Sequence, residues 1–587
     1  MTSSPKADFS SPEKGKPNRR APEPEAQQAG QNAAAAAHLA TGSRNDPYNL
    51  VPDLPAVNGF QADAALTEAL ARHGSPAQRE FLSAYGEWLS RPENRELAVL
   101  AERRPPEFEP YDRLGERQDL VRFDAAWHQL MAALRERGLV SLPYREPGEG
   151  AWLTWAAGLY LHGQVDAASL CPTIMTTAAI PVLQQEPELF QQLQGPLYGL
   201  EYDARDLPLN EKAAMWIGMG MTEKQGGSDL RANATYAEAL EQPGRGKAYR
   251  ITGHKWFLSA PTADAHLVLA ITDEGPSCFY VPRWRPDGVR NTIRIIRLKD
   301  KLGNRANASS EVEFDGAWGQ LVGEPGRGIP TILQMATFSR LACVIGSTAI
   351  LRQTLVQAIH HARDRWAFGR TLIEQPLMRQ LLADMALESE AATWLMVRLA
   401  RAFERAEQPG ERIWCRIMMP AAKFWICKRA VEFSGEALEV WGGNGYVETG
   451  PMARWFREAP VNSVWEGSGN VICLDVLRAI RRDPDGFSAW LATLEDGSKA
   501  HPVIAQAMAR LRADLALPAE VLEAAARRVT QRLVLVAQAV LLLEQAPAIV
   551  AEGFIATRFA EGAGWVFGAG PEITAADAIL ERAWPAG

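Results

Sequence analysis

Met215-Trp-Ile-Gly-Met-Gly-Met-Thr-Glu-Lys-Gln-Gly-Gly-Ser-Asp229 marks a change in the texture of the chain. Before it, apolar residues recur every three or four positions. After it, short β-rich runs occupy 235–241, 248–253, 255–259, 266–272, 277–281, 292–298 and 310–315. Gly, Pro and Asp separate these runs, as in Pro286-Asp287-Gly288. That spacing predicts a small antiparallel barrel or sandwich.

Working outward, residues 49–210 read as helical. Helical spacing is clear at 61–73, 77–91 and 123–137, and 151–184 is more continuously apolar. Downstream of Gly328-Ile329-Pro330, long amphipathic stretches at 332–364, 377–407, 413–441 and 471–480 predict a helical bundle. Gly442-Gly443-Asn444-Gly445 interrupts it. A second composition change at Arg482-Asp-Pro-Asp-Gly486 precedes further helical stretches at 487–494, 503–515, 518–546 and 548–559. Residues 1–45 carry too few large apolar side chains to order themselves and are expected to be a disordered tail. The expected fold class is α+β, mostly α. The expected domains are a helical domain over 46–214, a β domain over 215–327, a bundle over 328–482 and a C-terminal helical domain over 486–587.

The chain has 587 residues, 47% hydrophobic and 22% charged, with net charge −8. That balance suits a globular protein and makes the whole chain no evident polyanion binder. The longest apolar run, 533–543, is too short to span a bilayer. Six cysteines without a Cys-x-x-Cys pair argue for reduced thiols in a cytoplasmic protein. The histidines form no metal-spaced cluster, and no metal site is expected.

Trp465-Glu466-Gly467-Ser468-Gly469-Asn470 places a carboxylate between an aromatic ring and two glycines, just before an apolar helical run. Partial burial beside Trp465 raises a carboxyl pKa towards the range of a general base. Read singly, the same loop is a helix N-cap with a solvated Glu. Residues 219–228 offer backbone groups and two hydroxyls on a Gly-rich turn, suited to the polar edge of a flavin ring and a pyrophosphate. Lys255-Trp-Phe-Leu-Ser259 puts aromatics and a hydroxyl on one strand. Arg365-Trp-Ala-Phe-Gly-Arg370 supplies cationic and aromatic groups suited to phosphate and adenine. Taken alone, each of these is equally a turn, a core strand, a charge pair or a helix break.

Their order resembles the acyl-CoA dehydrogenase family. The family's Met-Thr-Glu turn ending Gly-Ser-Asp stands at 221–229, its glycine-rich segment at 439–446 as Glu-Val-Trp-Gly-Gly-Asn-Gly-Tyr, and its Tyr-Glu-Gly-Thr loop as Trp465-Glu466-Gly467-Ser468. The resemblance implies FAD between the β domain and the bundle. It implies flavin contacts from Met219, Gly220, Met221, Thr222, Gly227, Ser228, Phe257, Leu258 and Ser259, and from Trp465, Gly467, Ser468 and Asn470. Arg365, Phe368, Gly442 and Gly443 match positions that bind the adenine half from a neighbouring subunit of a homotetramer. Glu466 matches the catalytic base that takes the α-proton of an acyl-CoA thioester. Some members carry the base on an earlier helix; the matching residue here is Ser339, which is no base, and Arg340 beside it is expected to form a structural salt bridge. The chain departs from the pattern at Glu374-Gln375-Pro376, at Glu439, and at Trp256-Phe257, where Phe takes the place of the family's Trp.

Residues 218–229, 298–307 and 460–477 resemble more closely the branch tied to the response to DNA alkylation. That branch implies double-stranded DNA binding by the C-terminal helices. Residues 486–587 carry eight basic against eleven acidic residues. Arg510, Arg512, Arg527, Arg528 and Arg532 cluster and are expected to form one positive, sequence-indifferent phosphate-binding face. The alternative is a purely metabolic dehydrogenase whose C-terminal segment serves oligomer packing.

Overall fold

A computed structural model describes residues 49–559, 564 and 566–585. The tail expected over 1–45 lies outside the described residues. The N-terminal part packs the helices Ala64–His73, Pro76–Ser90, Pro92–Arg103, Ala125–Glu136, Ala151–Gly163 and Leu170–Leu183. The last two fill the continuously apolar stretch 151–184, expected to be helical, and are buried on nearly every face.

This part is not wholly helical, as the spacing had suggested. Pro105-Pro106 stops the Pro92–Arg103 helix, and Glu107–Tyr111 pairs antiparallel with Arg117–Arg122 as a hairpin. The hairpin ties the N-terminal part to the β domain. Arg117 Nη2 donates to the Ile295 carbonyl at 2.6 Å, and Asp119 Oδ2 accepts from Ile295 N at 3.3 Å.

The β domain is a seven-stranded sheet closed on itself. Its order runs Ile217–Gly220, Ala265–Thr272, Tyr236–Ala239, Ala248–Ser259, Ser309–Val322, Gly275–Pro282, with Ile293–Leu298 also on Ser309–Val322. Ala265–Thr272 pairs with Gly275–Pro282 and completes the barrel. The expected antiparallel pattern holds for most pairs. Ile217–Gly220 instead runs parallel to Ala265–Thr272, because it enters from the helical side rather than through a hairpin.

Gly328–Asp364, 37 residues long, is the spine of the bundle. It is apolar and long enough to cross a bilayer, but 61% of its apolar window is buried in the protein. Leu170–Leu183, Pro376–Glu404 and Met419–Val440 cover it. Downstream helices Pro484–Ser498, Pro502–Leu515, Ala526–Gln545, Ala548–Phe559 and Ala576–Ala583 follow; the last was not expected. Val536, Leu542 and Phe554 from these helices share one continuous core with Met385, Leu395 and Ile472 of the bundle.

Buried charge pairs join the two. Arg558 donates to Glu388 Oε2 at 2.8 Å and to Asp384 Oδ1 at 2.5 Å, and Arg582 bridges Glu68 and Glu390. Removing one partner of such a network leaves uncompensated buried charge. Arg558→Leu is expected to lower stability by about 3–5 kcal/mol, read as a fall in the urea midpoint, while Arg72→Leu, at an exposed ion pair, changes it by less than about 1 kcal/mol.

Candidate active site

The 460–470 loop leaves the short helix Val461–Val464 and enters the helix Gly469–Arg482. Glu466 lies at the turn with φ +57°, in the left-handed region that costs a non-glycine residue about 1 kcal/mol or more. Gly467 follows at φ +101°. Three consecutive carbonyls fix this turn. Lys423 Nζ donates to the Trp465 carbonyl at 2.7 Å and also to the Gly467 carbonyl. Arg340 Nε donates to the Glu466 carbonyl at 3.3 Å, and its Nη1 to Asp475 at 2.7 Å. The salt bridge expected of Arg340 is thus present, and it carries a second task. Trp465 Nε1 donates to Asn462 Oδ1 at 3.0 Å.

The Glu466 residue is only partly covered, yet its Oε2 is buried and makes no hydrogen bond. Burial pushes its pKa above the ordinary carboxyl value, against the opposing pull of Arg340 and Lys423. Cys171, from Leu170–Leu183, lies within electrostatic reach of Glu466 and contacts the Ser259 hydroxyl and the Asn307 side chain. Burial pushes its thiol up to about 11. Cys171 thus stands close to both the end of the Ala248–Ser259 strand and the Glu466 turn. Ser339 does not join them as a base; its hydroxyl donates to the Met335 carbonyl at 3.1 Å.

The Gly-rich turn is anchored from below. The Glu223 and Lys255 side chains are fully buried, 2.6 Å apart. Glu223 also accepts from Ala234 N at 2.7 Å and Gln225 Nε2 at 2.7 Å. The Thr222 carbonyl accepts from Trp256 N at 2.8 Å. Gly218 has no room for a side chain without a shift of His266, since a Cβ there would stand 2.3 Å from His266 Cδ2, and one at Gly227 would be tight at 3.0 Å from Thr222 Cγ2. Met219, Met221 and Thr222 remain partly accessible and Ser228 is exposed.

On the neighbouring strand, alternation decides which side chains reach a ligand. Phe257 is 52% exposed and Leu258 fully buried. Leu258, expected among the cofactor contacts, turns its side chain into the barrel core. Lys299 Nζ lies 3.6 Å above the Trp256 ring and 4.6 Å above Phe257.

Arg365, Phe368, Gly442 and Gly443 gather at the far end of the spine. Trp441 stacks on His361 at 4.5 Å and donates to the Gln357 carbonyl. Phe368 sits at the tip of the hairpin Trp366–Ala367/Arg370–Thr371, 91% exposed. Arg340 and Arg365 are 25 residues apart on this helix, roughly 37 Å at 1.5 Å per residue. These residues thus stand far from Glu466 of their own chain.

The five arginines do not form one free positive face. Arg512 pairs with Glu495, while Arg528 and Arg532 both pair with Asp514. Arg527 donates to Asn470 Oδ1 at 3.0 Å, inside the 465–470 loop. Nearby carboxylates, invisible in a count of basic residues, take up most of the charge.

Sequence reasoning missed Lys423, Lys255 and the structural role of Glu223. A lone Lys inside an apolar helical stretch, as at Ala421-Ala422-Lys423-Phe424, was the available signal for the first. Burial opposes ionisation of Glu223, but Lys255 and the backbone donors overcome it and hold the carboxyl at about 2. A carboxyl with a depressed folded pKa adds stability above its unfolded value that is lost as pH falls. Wild type is therefore expected to lose stability between about pH 4.5 and 2, and Glu223→Gln to lose less over that range while being less stable at pH 7. Urea titrations across pH check both.

Comparison with known proteins agrees with this geometry. The adaptive response protein AidB N-terminal domain matches residues 49–204, the acyl-CoA dehydrogenase middle domain 218–317, and the acyl-CoA dehydrogenase C-terminal domain 326–481. The chain is 46% identical to the putative acyl-CoA dehydrogenase AidB of Escherichia coli K12, over 85% of this chain and 91% of that one. It is 31% identical to acyl-CoA dehydrogenase family member 11 of Caenorhabditis elegans, over 68% of this chain and 66% of that one. The solved structure of Bd2924 in its apo form superposes with TM-score 0.79 at 27% identity, covering 85% of this chain and 99% of that one. Caenorhabditis elegans ACDH-11 in complex with C11-CoA shares the fold, with TM-score 0.77 at 24% identity and 91% coverage of each chain. The chain belongs to the acyl-CoA dehydrogenase family, FAD-dependent oxidoreductases acting on CH–CH groups.

Proposed function

We propose that the cleft between the 219–228 turn and Glu466 dehydrogenates an acyl-CoA thioester at its Cα–Cβ bond, with Glu466 as the base. The buried, unpartnered Glu466 Oε2 carries this reading. A carboxylate oxygen desolvated without a hydrogen bond is costly unless a reacting group takes its place.

The residues present fit FAD. Met219, Met221 and Phe257 offer apolar surface for a ring face, with the Thr222, Ser228 and Ser259 hydroxyls at its polar edge. Gly220 and Gly227 allow close backbone approach. Ser468 makes no side-chain cap on the Gly469–Arg482 helix, leaving first-turn N–H groups free beside Trp465, Gly467 and Asn470. When bound, FAD accepts the β-hydride equivalent. Glu466 takes the α-proton from the opposite side of the Cα–Cβ bond, and the tight turn holds its carboxyl at one place for that transfer. Arg365, Phe368, Gly442 and Gly443 fit the adenine half of FAD held by a neighbouring subunit. Phe368, Tyr446 and Leu377 are 91%, 82% and 79% exposed, apolar surface that a homotetramer covers. Free thiols at all six cysteines suit the cytoplasm.

Glu466→Gln is expected to keep the flavin and to slow its anaerobic reduction by acyl-CoA by at least about 10²-fold. Undiminished bleaching in a short-to-long-chain acyl-CoA panel would show another base. Because the Glu466 carboxyl titrates above 4.5 and must be ionised to act, the wild-type reduction rate is expected to rise with pH through a midpoint above that value, and a flat profile excludes the role.

Double-stranded DNA binding, in the alkylation response, is the second reading. It rests on the sequence resemblance described above and on the exposure of Arg510, Arg527 and Arg528. Reversing these three to Glu is expected to weaken a salt-dependent duplex mobility shift at least tenfold; an unaltered shift removes the patch from the account.

A further inference from the structure

Lys423 is 1% exposed. Among the described residues it has no carboxylate within ion-pair distance. A buried ammonium without a counter-ion is expensive. Its hydrogen bonds go to the carbonyls immediately before and after Glu466. It reaches them from the first turns of the helix Met419–Val440, which emerges from a single π-helical turn at Trp414–Met418. Such π turns recur at functional sites, where they shift the helical phase.

We propose that Lys423 is the positioning residue of the Glu466 turn, clamping the carbonyls on both sides of it and bringing a positive charge within electrostatic reach of the carboxyl, beyond ion-pair distance. The clamp offsets the cost of the left-handed backbone at Glu466, since two bonds to one rigid donor fix the dihedrals between them. The charge favours the ionised carboxyl in a dry site, where an exposed lysine would be screened. The other groups facing Glu466 are Arg340 and the Cys343 thiol from Gly328–Asp364, and the Cys171 thiol from Leu170–Leu183. Asp475, from Gly469–Arg482, occupies the far side of Arg340. Burial raises this carboxyl's pKa, and Arg340 and then Lys423 are the cations that oppose it, Arg340 being also bound to Asp475.

The proposal rests on Glu466 as the base, and its test does not depend on turnover. Infrared difference spectra of the FAD-loaded protein, wild type minus Glu466→Gln, isolate the protonated-carboxyl band of Glu466 and its titration midpoint. Lys423→Met is expected to raise that midpoint by about one pH unit or more, and Lys423→Arg to leave it within a few tenths. If Lys423→Met does not accumulate as folded holoprotein, Lys423→Gln carries the same expectation. A midpoint unmoved by loss of the charge, with flavin retained, overturns the proposal. A midpoint that moves, with Glu466→Gln still reduced by acyl-CoA at the wild-type rate, keeps the placement by Lys423 and discards the base.

Discussion

Hydrogen bonds from Lys423 and Arg340 to three successive carbonyls are the constraint on which the site depends. Without them the left-handed turn at Glu466 relaxes, and the carboxyl swings towards water. Each donor comes from a different bundle helix, and each helix is held by the common core. The barrel contributes a second anchored turn, over Glu223 and Lys255. Two anchored turns on two sub-structures thus carry the candidate residues, and Leu170–Leu183 brings Cys171 close to both Ser259 and Glu466.

The spine helix sets the scale of the assembly. Its middle supplies Arg340 and Cys343 at the Glu466 turn, and its end carries the exposed hairpin with Phe368. A residue useful to a cofactor at one end cannot serve the same cofactor's ring at the other. That separation leaves Phe368 exposed at the far end of the helix, away from the Glu466 turn of the same chain.

Much of the fold was legible because periodicity reports burial. The long bundle helices and the barrel strands appeared at nearly the observed places. The Glu107–Tyr111 hairpin did not, because two prolines and alternating charges resemble a loop when its docking partner, Ile295, lies far away in sequence. The order of motifs located the Gly-rich turn and the 465–470 loop. The inward turn of the Leu258 side chain was not legible, because a motif does not say which face of a strand a residue takes. Lys423 and Lys255 escaped notice because a buried lysine reads like any other lysine until its partners are known. The arginine cluster failed as a single positive face for the converse reason: Glu495 and Asp514 are opposite it in space, not in sequence.

The C-terminal helices are not a module that can be cut away. They share the apolar core of the bundle, close buried charge networks through Arg558 and Arg582, and touch the 465–470 loop through Arg527. A chain ended near residue 482 would strip one wall from the bundle and leave acidic groups dry and unmatched. A displacement of this segment would therefore pull on Asn470 through Arg527.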